Sequence, residues 1–210
     1  MPQHYATIAF TDDVQQAQQR FGSRESMRRF AAADVGNDVL TAAEREFVEQ
    51  SDGFHVATTG SGGWPYVQHR GGPPGFLRVL DDHTLGYADF RGNRQYITTG
   101  NLAGNDKASL FLMDHALQRR LKIYGRLEVI AADERPDLRE LLTPPDYPAR
   151  VERLVLVHVA AYDWNCPQHI TPRFTHAQIE AALVPLRKEL EALRAENAAL
   201  RASHAPREEV

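Results

Sequence analysis

Between Trp64 and Ile130 the chain repeatedly sets cationic residues where apolar, strand-like runs give way to turns. The clusters are His69-Arg70, Arg91 to Arg94, Asp106-Lys107 and Arg119-Arg120. Paired guanidiniums hold phosphate through charge-assisted, bidentate bonds. Apolar walls with a few backbone donors suit a flat aromatic ring. Together they point to a phosphorylated, flat, aromatic ligand. Strand geometry limits the count: Arg119, Arg120 and Lys122 alternate along one run, so at most one face of it contributes. His69 could serve as donor or acid, although a lone histidine is more often structural. Arg126 reads as solvated. Cys166 is the only cysteine, which excludes an intrachain disulfide and a cysteine zinc site. Nothing near it except His169 would lower its pKa, so it reads as a small hydrophobe rather than a nucleophile. The nine histidines show no pair at ligand spacing, so no metal site is expected.

The elements that must position these residues follow from pattern. A polar lead-in helix or arm spans Thr11 to Phe30, with Asp12 or Asp13 able to cap it and Gly22 interrupting. Thr41-Ala42-Ala43-Glu44 is a capping box that starts a helix running to about Gln50, with Phe47 and Val48 on its buried side. Strands are expected at Phe54–Thr59, Pro65–Arg70, Phe76–Leu80, Thr84–Ala88, Ala108–Met113, Leu121–Ile130 and Val151–Tyr162. Asp81-Asp82-His83 supplies a hairpin turn, and a short helix fits Asn93 to Thr99. Many short strands with few helices suggest a closed antiparallel barrel rather than a Rossmann sheet. No G-x-G-x-x-G or P-loop occurs, which argues against the common dinucleotide and NTP folds.

A chain of 210 residues can bury one sizeable core with an extra element at an end. A net charge of −4 argues against a nucleic-acid binder. The opening MPQHYATIAFTDDVQQ lacks a basic start followed by an apolar run, so it does not read as a secretory signal. No apolar run approaches the roughly 20 residues that span a bilayer, so no membrane role is expected. The single cysteine fits a reducing compartment, and the expected location is cytoplasmic.

The last third is helical from Thr175 to Arg201. Leu183, Leu186, Leu190, Leu193, Asn197 and Leu200 alternate by threes and fours, a heptad seam with Asn197 at an a position. Glu189 and Glu196 then occupy g, and Arg187, Arg194 and Arg201 occupy e. In a parallel pair Glu189 meets Arg194 and Glu196 meets Arg201. The competing reading is an amphipathic helix packed on its own barrel. Pro185 must start the segment or kink it. Ala202 to Val210 should fray.

From Phe54 to Ile130 the chain resembles the pyridoxamine 5'-phosphate oxidase-like superfamily, the FMN-binding split barrels. The matching pieces are Gly63, Pro65 and Arg70 in a G-x-P-x-x-x-x-R strand, ADFRGNRQ (Ala88 to Gln95), GNLAGNDKASLFLMD and QRRLKIYGRLEV. NCPQHITPRF (Asn165 to Phe174) resembles one uncharacterised branch of that group. The resemblance implies a mainly β, split antiparallel barrel with flanking N-terminal helices. It divides the chain into helices and arm (1–50), FMN-binding barrel (51–174) and C-terminal helix (175–210).

It also implies FMN at a homodimer interface. Gln68, His69, Arg70 and Gly71 would supply the strand along the ring edge, and Tyr87 and Ala88 are expected among the cofactor-binding residues. Asn93 and Arg94 match the family's phosphate-binding pair, and Gln95 adds an amide donor. Arg120 falls where the oxidases have a glutamine near the flavin, and there a cation would favour the anionic reduced ring. The W-Q-G and R-x-H features that grip pyridoxal phosphate are absent, so the resemblance does not extend to vitamin B6 as substrate. It implies an FMN-dependent oxidoreductase passing hydride through flavin N5, with a small-molecule substrate or nicotinamide donor unassigned. The alternative is a non-catalytic flavin or haem carrier of the same fold, and a third reading makes the barrel a scaffold for the helix.

Overall fold

The computed structural model describes residues 5–33 and 37–204. Contacts divide the chain into two compact units: residues up to Asp114 with Gln118–His169, and His115–Leu117 with Ile170–Val210.

The first unit opens with three short helices, α1 (Tyr5–Ala9), α2 (Asp12–Arg20) and α3 (Arg24–Ala33). Gly22, at φ +77°, makes the break between α2 and α3 that the sequence suggests. The cap of α2 is Thr11, which accepts from the Val14 amide, rather than Asp12 or Asp13. Helix α4 (Ala42–Gln50) starts at the expected capping box: Glu44 accepts from the Thr41 amide at 3.0 Å, and the Thr41 hydroxyl accepts from backbone amides in return. Phe47 and Val48 are buried beneath it as expected.

All seven expected strands form: β1 (Gly53–Thr59), β2 (Pro65–Gly71), β3 (Leu77–Val79), β4 (Thr84–Phe90), β5 (Lys107–Asp114), β6 (Arg119–Ala131) and β7 (Val151–Trp164). They make one antiparallel sheet in the order β2-β1-β5-β6-β7-β4-β3. Laid flat, β1 and β4 would stand about 19 Å apart, at roughly 4.8 Å per strand step. Instead the Phe54 and Tyr87 rings lie 5.3 Å apart, and Phe54 also stacks on Phe76 at 5.8 Å. The sheet therefore rolls around a core of Phe54, Val56, Leu85, Leu110, Ile123 and Val157. The ladder leaves β2 and β3 as edges, joined across the gap by side chains, which is the split antiparallel barrel that the resemblance implies.

Helix α5 (Ile97–Gly104) replaces the expected helix at Asn93–Thr99. Arg94 (φ 63°) and Tyr96 (φ 53°) adopt left-handed backbone, which a right-handed helix cannot contain. Helix α6 (Pro136–Leu142), unanticipated, covers a small cluster formed by Ala88, Ile130, Leu142 and Leu154.

The second unit contains α7 (His176–Ser203). Its N-terminus is a second capping box, Thr175 with Gln178. Pro185 lies inside the helix rather than starting it. Of the stretch expected to fray, residues 202 and 203 are helical and 205–210 lie outside the described residues. Among the described residues no helix is long and apolar enough to cross a membrane.

Candidate functional site

Strand β2 supplies the polar wall of the barrel. Register pairs Tyr66, Gln68 and Arg70 with Thr58, Val56 and Phe54 of β1, so these three share the inward face. Arg70 reaches across the gap to β4, where its Nη1 lies 2.9 Å from Asp89 Oδ1. The contact is ionic rather than a well-aligned hydrogen bond, and Arg70 Nε is enclosed without a hydrogen-bond partner. Asp89 is 2% exposed. Arg153, directly opposite on β7, donates to its other oxygen from Nε at 3.0 Å and Nη2 at 2.6 Å. A buried carboxylate is tolerable only when paired in this way. The Tyr87 phenol lies two residues away and is fully enclosed; burial pushes its pKa up, with Arg70 offsetting part of the effect.

The loop from β4 to α5 forms the opposite wall. Asn93 Oδ1 accepts from the Gln95 amide at 3.1 Å, closing a local turn. Left-handed backbone at Arg94 and Tyr96 then throws both side chains to one side, at a cost of about 1–3 kcal/mol per residue. Arg94 Nε donates to the Tyr96 hydroxyl at 3.3 Å, and that hydroxyl donates to Glu152 at 3.4 Å. The Arg153 guanidinium sits 4.9 Å from the Tyr96 ring centre, a cation–π contact. Tyr96 is the N-cap of α5 and gives it no side-chain cap, so the first helical amides stay available. Thr98 donates to Gln68 Oε1 at 2.8 Å, and Asn101 donates to Thr58 at 3.1 Å, fastening α5 to the first two strands.

Between these walls lies a small, open cleft with an enclosed volume of about 30 Å³. Arg70, Arg94, Arg153, Gln68, Thr98 and Glu152 line it, with Phe90 as an apolar side. Three guanidiniums face one glutamate, which Arg91 and Arg153 already engage at 3.6 and 3.4 Å. The excess of positive charge, two hydroxyls (Thr98 and Thr99) and an uncapped helix start suit a phosphate group. Arg70 Nε is a further donor awaiting an acceptor. The donor set therefore fits the phosphorylated end of FMN, while the open edge of β2 presents unpaired backbone groups beside it.

Of the residues expected from sequence, Gln68, Arg70, Asn93 and Arg94 line this cleft and Gln95 belongs to its loop. Tyr87 lies behind it in the core, and Ala88 points to the α6 cluster on the other sheet face. His69 faces away from Arg70, with its ring 5.3 Å from that of His55, and Gly71 ends β2 opposite Gly53. Arg120 is outside the cleft: its Nη2 donates to the Cys166 carbonyl at 2.8 Å. Asp89 is taken by Arg70 and Arg153. Arg126 is exposed and makes two bonds to Asp106. Cys166 is exposed. Sequence reasoning missed Arg153, Glu152, Tyr96 and Thr98. One signal was available: an aspartate inside the strand YADF needs a buried cation, and RVER on β7 offers one. Among the described residues no group of three histidine, cysteine or acidic side chains could hold a metal ion.

Residues 40–155 match the family model described as pyridoxamine 5'-phosphate oxidase. No curated protein matches the chain. Among solved structures it is similar to an FMN-binding protein from Syntrophomonas wolfei, at 15% identity over 68% of this chain and 96% of that one, with a TM-score of 0.47. HupZ of Group A Streptococcus is 17% identical over 64% of this chain and 98% of its own, with a TM-score of 0.46. A Clostridium acetobutylicum protein related to general stress protein 26 is 17% identical over 65% and 94%, with a TM-score of 0.44.

Proposed function

The chain belongs to the pyridoxamine 5'-phosphate oxidase family, and from that premise we propose that it is an FMN-dependent oxidoreductase that anchors the cofactor phosphate in the Arg70–Arg94–Arg153 cleft. The observation that carries this reading is the convergence of three guanidiniums and an uncapped helix start beside an unpaired strand edge. Arg94 and the α5 amides bind the phosphate from the loop side. Arg70 donates from the strand side through the Nε that has no other partner. Arg153, held by Asp89 and only partly exposed, keeps the floor of the cleft positive. Gln68, its carbonyl taken by Thr98, is left with its amide hydrogens for the ligand. The chemistry that bound FMN supplies is two-electron redox through its N5 position, toward a substrate or nicotinamide donor.

The reading includes a homodimer with the cofactor between subunits. Trp64 and Val67, 84% and 59% exposed, flank the open edge of β2 and offer apolar surface for a second chain. It also includes a cytoplasmic setting, in keeping with a free, exposed Cys166.

The test is the absorbance spectrum of the purified protein, with the released chromophore identified by mass. Flavin bands with an FMN mass support the reading. A colourless protein that takes up no added FMN would sink it. A Soret band would transfer the site to haem, and a flavin-loaded protein that neither oxidises nicotinamide nor reduces acceptors would be a carrier.

A further inference from the structure

Helix α7 carries an apolar seam that the cleft chemistry does not use. Leu186, Leu190 and Leu193 are 59%, 47% and 55% exposed and fall on one stripe with Leu183, Asn197 and Leu200. Single exposed leucines are ordinary, but a row of them at heptad spacing is a surface built to be covered. We propose that α7 pairs with the α7 of a second copy of this chain as a parallel, two-stranded coiled coil.

The charges flanking the seam select the partner and its direction. In a parallel pair, g of one helix meets the following e of the other, giving Glu189 with Arg194 and Glu196 with Arg201 on both sides. In an antiparallel pair, g meets g and e meets e, so glutamates would face glutamates and arginines would face arginines. The seam is thus self-complementary in one orientation only, which makes an identical chain its natural occupant. Asn197 at an a position finds its partner amide only when the two helices are in register, and it favours two strands over three. Pro185 falls at c, on the outer face, where its missing amide does not touch the seam. The Thr175–Gln178 capping box starts each helix at the same residue, so the two begin level. This pairing is independent of whether FMN is bound.

The experiment uses the full chain with Cys166→Ser, because the native thiol is exposed, and adds Leu200→Cys at a d position. A parallel coil in register brings the two copies of residue 200 within disulfide reach, about 4.4–6.8 Å between Cα atoms. Mild oxidation is expected to give a covalent dimer, seen on a non-reducing gel. Adding Leu190→Glu and Leu193→Glu should slow the cross-link by about tenfold or more, equal to a loss of about 1.4 kcal/mol in pairing. Absence of the cross-link overturns the proposal, as does a rate unmoved by the two glutamates or a trimer mass in solution. A second arm mixes a chain carrying Glu189→Arg and Glu196→Arg with a size-tagged chain carrying Arg194→Glu and Arg201→Glu. A predominantly mixed dimer supports charge pairing of two copies across this seam, with the residue-200 cross-link fixing its parallel direction; a random mixture refutes the pairing. Neither arm reads flavin, so failure here is separable from failure of the FMN reading.

Discussion

Arg70 and Asp89 meet at 2.9 Å although four strands lie between β2 and β4 in the sheet order. The contact crosses the gap of the split barrel, so one ion pair both fastens the gap and sets the floor of the cleft. Asp89 is the hub, because it also holds Arg153.

Asp89→Asn should destabilise the protein by about 3–5 kcal/mol, since it removes the carboxylate that two largely enclosed guanidiniums share and leaves Arg153 only its longer pair with Glu152 at 3.4 Å. Urea unfolding at pH 7 checks this. The combined variant Arg70→Met, Asp89→Leu, Arg153→Met removes all three charges at once, and its stability should return to near that of the native protein. It should nevertheless bind no FMN. A triple variant as unstable as Asp89→Asn would mean the hub contributes packing rather than charge balance.

Arg94 separates binding from folding. Its side chain is exposed and its one described bond goes to Tyr96, so Arg94→Ala should change stability by less than about 0.5 kcal/mol. Loss of a charge-assisted phosphate bond costs about 1.5–3 kcal/mol, which weakens FMN binding roughly 10- to 100-fold. Riboflavin, which lacks the phosphate, should bind the native protein and the variant alike. Titration of flavin fluorescence reads both ligands, and an equal loss for riboflavin would place Arg94 elsewhere on the cofactor.

The seven strands were legible because each is a short β-branched or apolar run bounded by glycine or acidic turns, as in Asp81-Asp82-His83. The α4 capping box was legible for the same local reason. The loop before α5 was not, because left-handed backbone at Arg94 and Tyr96 is written by neither glycine nor asparagine. Arg94 and Arg70 could be found from motif order. For Arg153 the sequence offered only the need of a strand aspartate for a cation; choosing it required the β4–β7 register, which joins residues 64 apart in the chain. Ala88 and His69 each stand one strand position from a residue beside the cleft or its ion pair, and the alternation sends their side chains to the opposite face.

Two glycines should respond to the same substitution with opposite sign. Gly125 sits at the β6 bulge, where an added Cβ would meet the His158 carbonyl oxygen at 2.9 Å and a Val157 methyl at 3.0 Å. Gly125→Ala must push backbone aside, at a cost of about 1–3 kcal/mol. Gly100 lies inside α5 with open space around it. Gly100→Ala should stabilise by about 0.5–1 kcal/mol by restricting the unfolded chain and favouring the helix. Thermal denaturation of both variants tests the register of β6 as well as the reach of α5.

Glu44 should give the protein part of its acid sensitivity. Burial raises its pKa, but the bonds from Thr41 and from Trp164 Nε1, at 2.6 Å, outweigh that and hold it below the ordinary glutamate value. A carboxyl whose folded pKa lies below its unfolded pKa stabilises the fold above the unfolded value and loses that contribution as pH falls through the folded one. Glu44→Gln keeps the shape and removes the titration. Its cost at pH 7 should be about 1.5–3 kcal/mol, the value of hydrogen bonds to a charged group. The difference between native protein and variant should then shrink steadily as the pH is lowered below the ordinary glutamate range. Urea unfolding followed by tryptophan fluorescence, at pH 7 and in steps down to pH 3, measures it. A difference that stays constant across that range would show that Glu44 acts through packing beneath Trp164 and not through its charge.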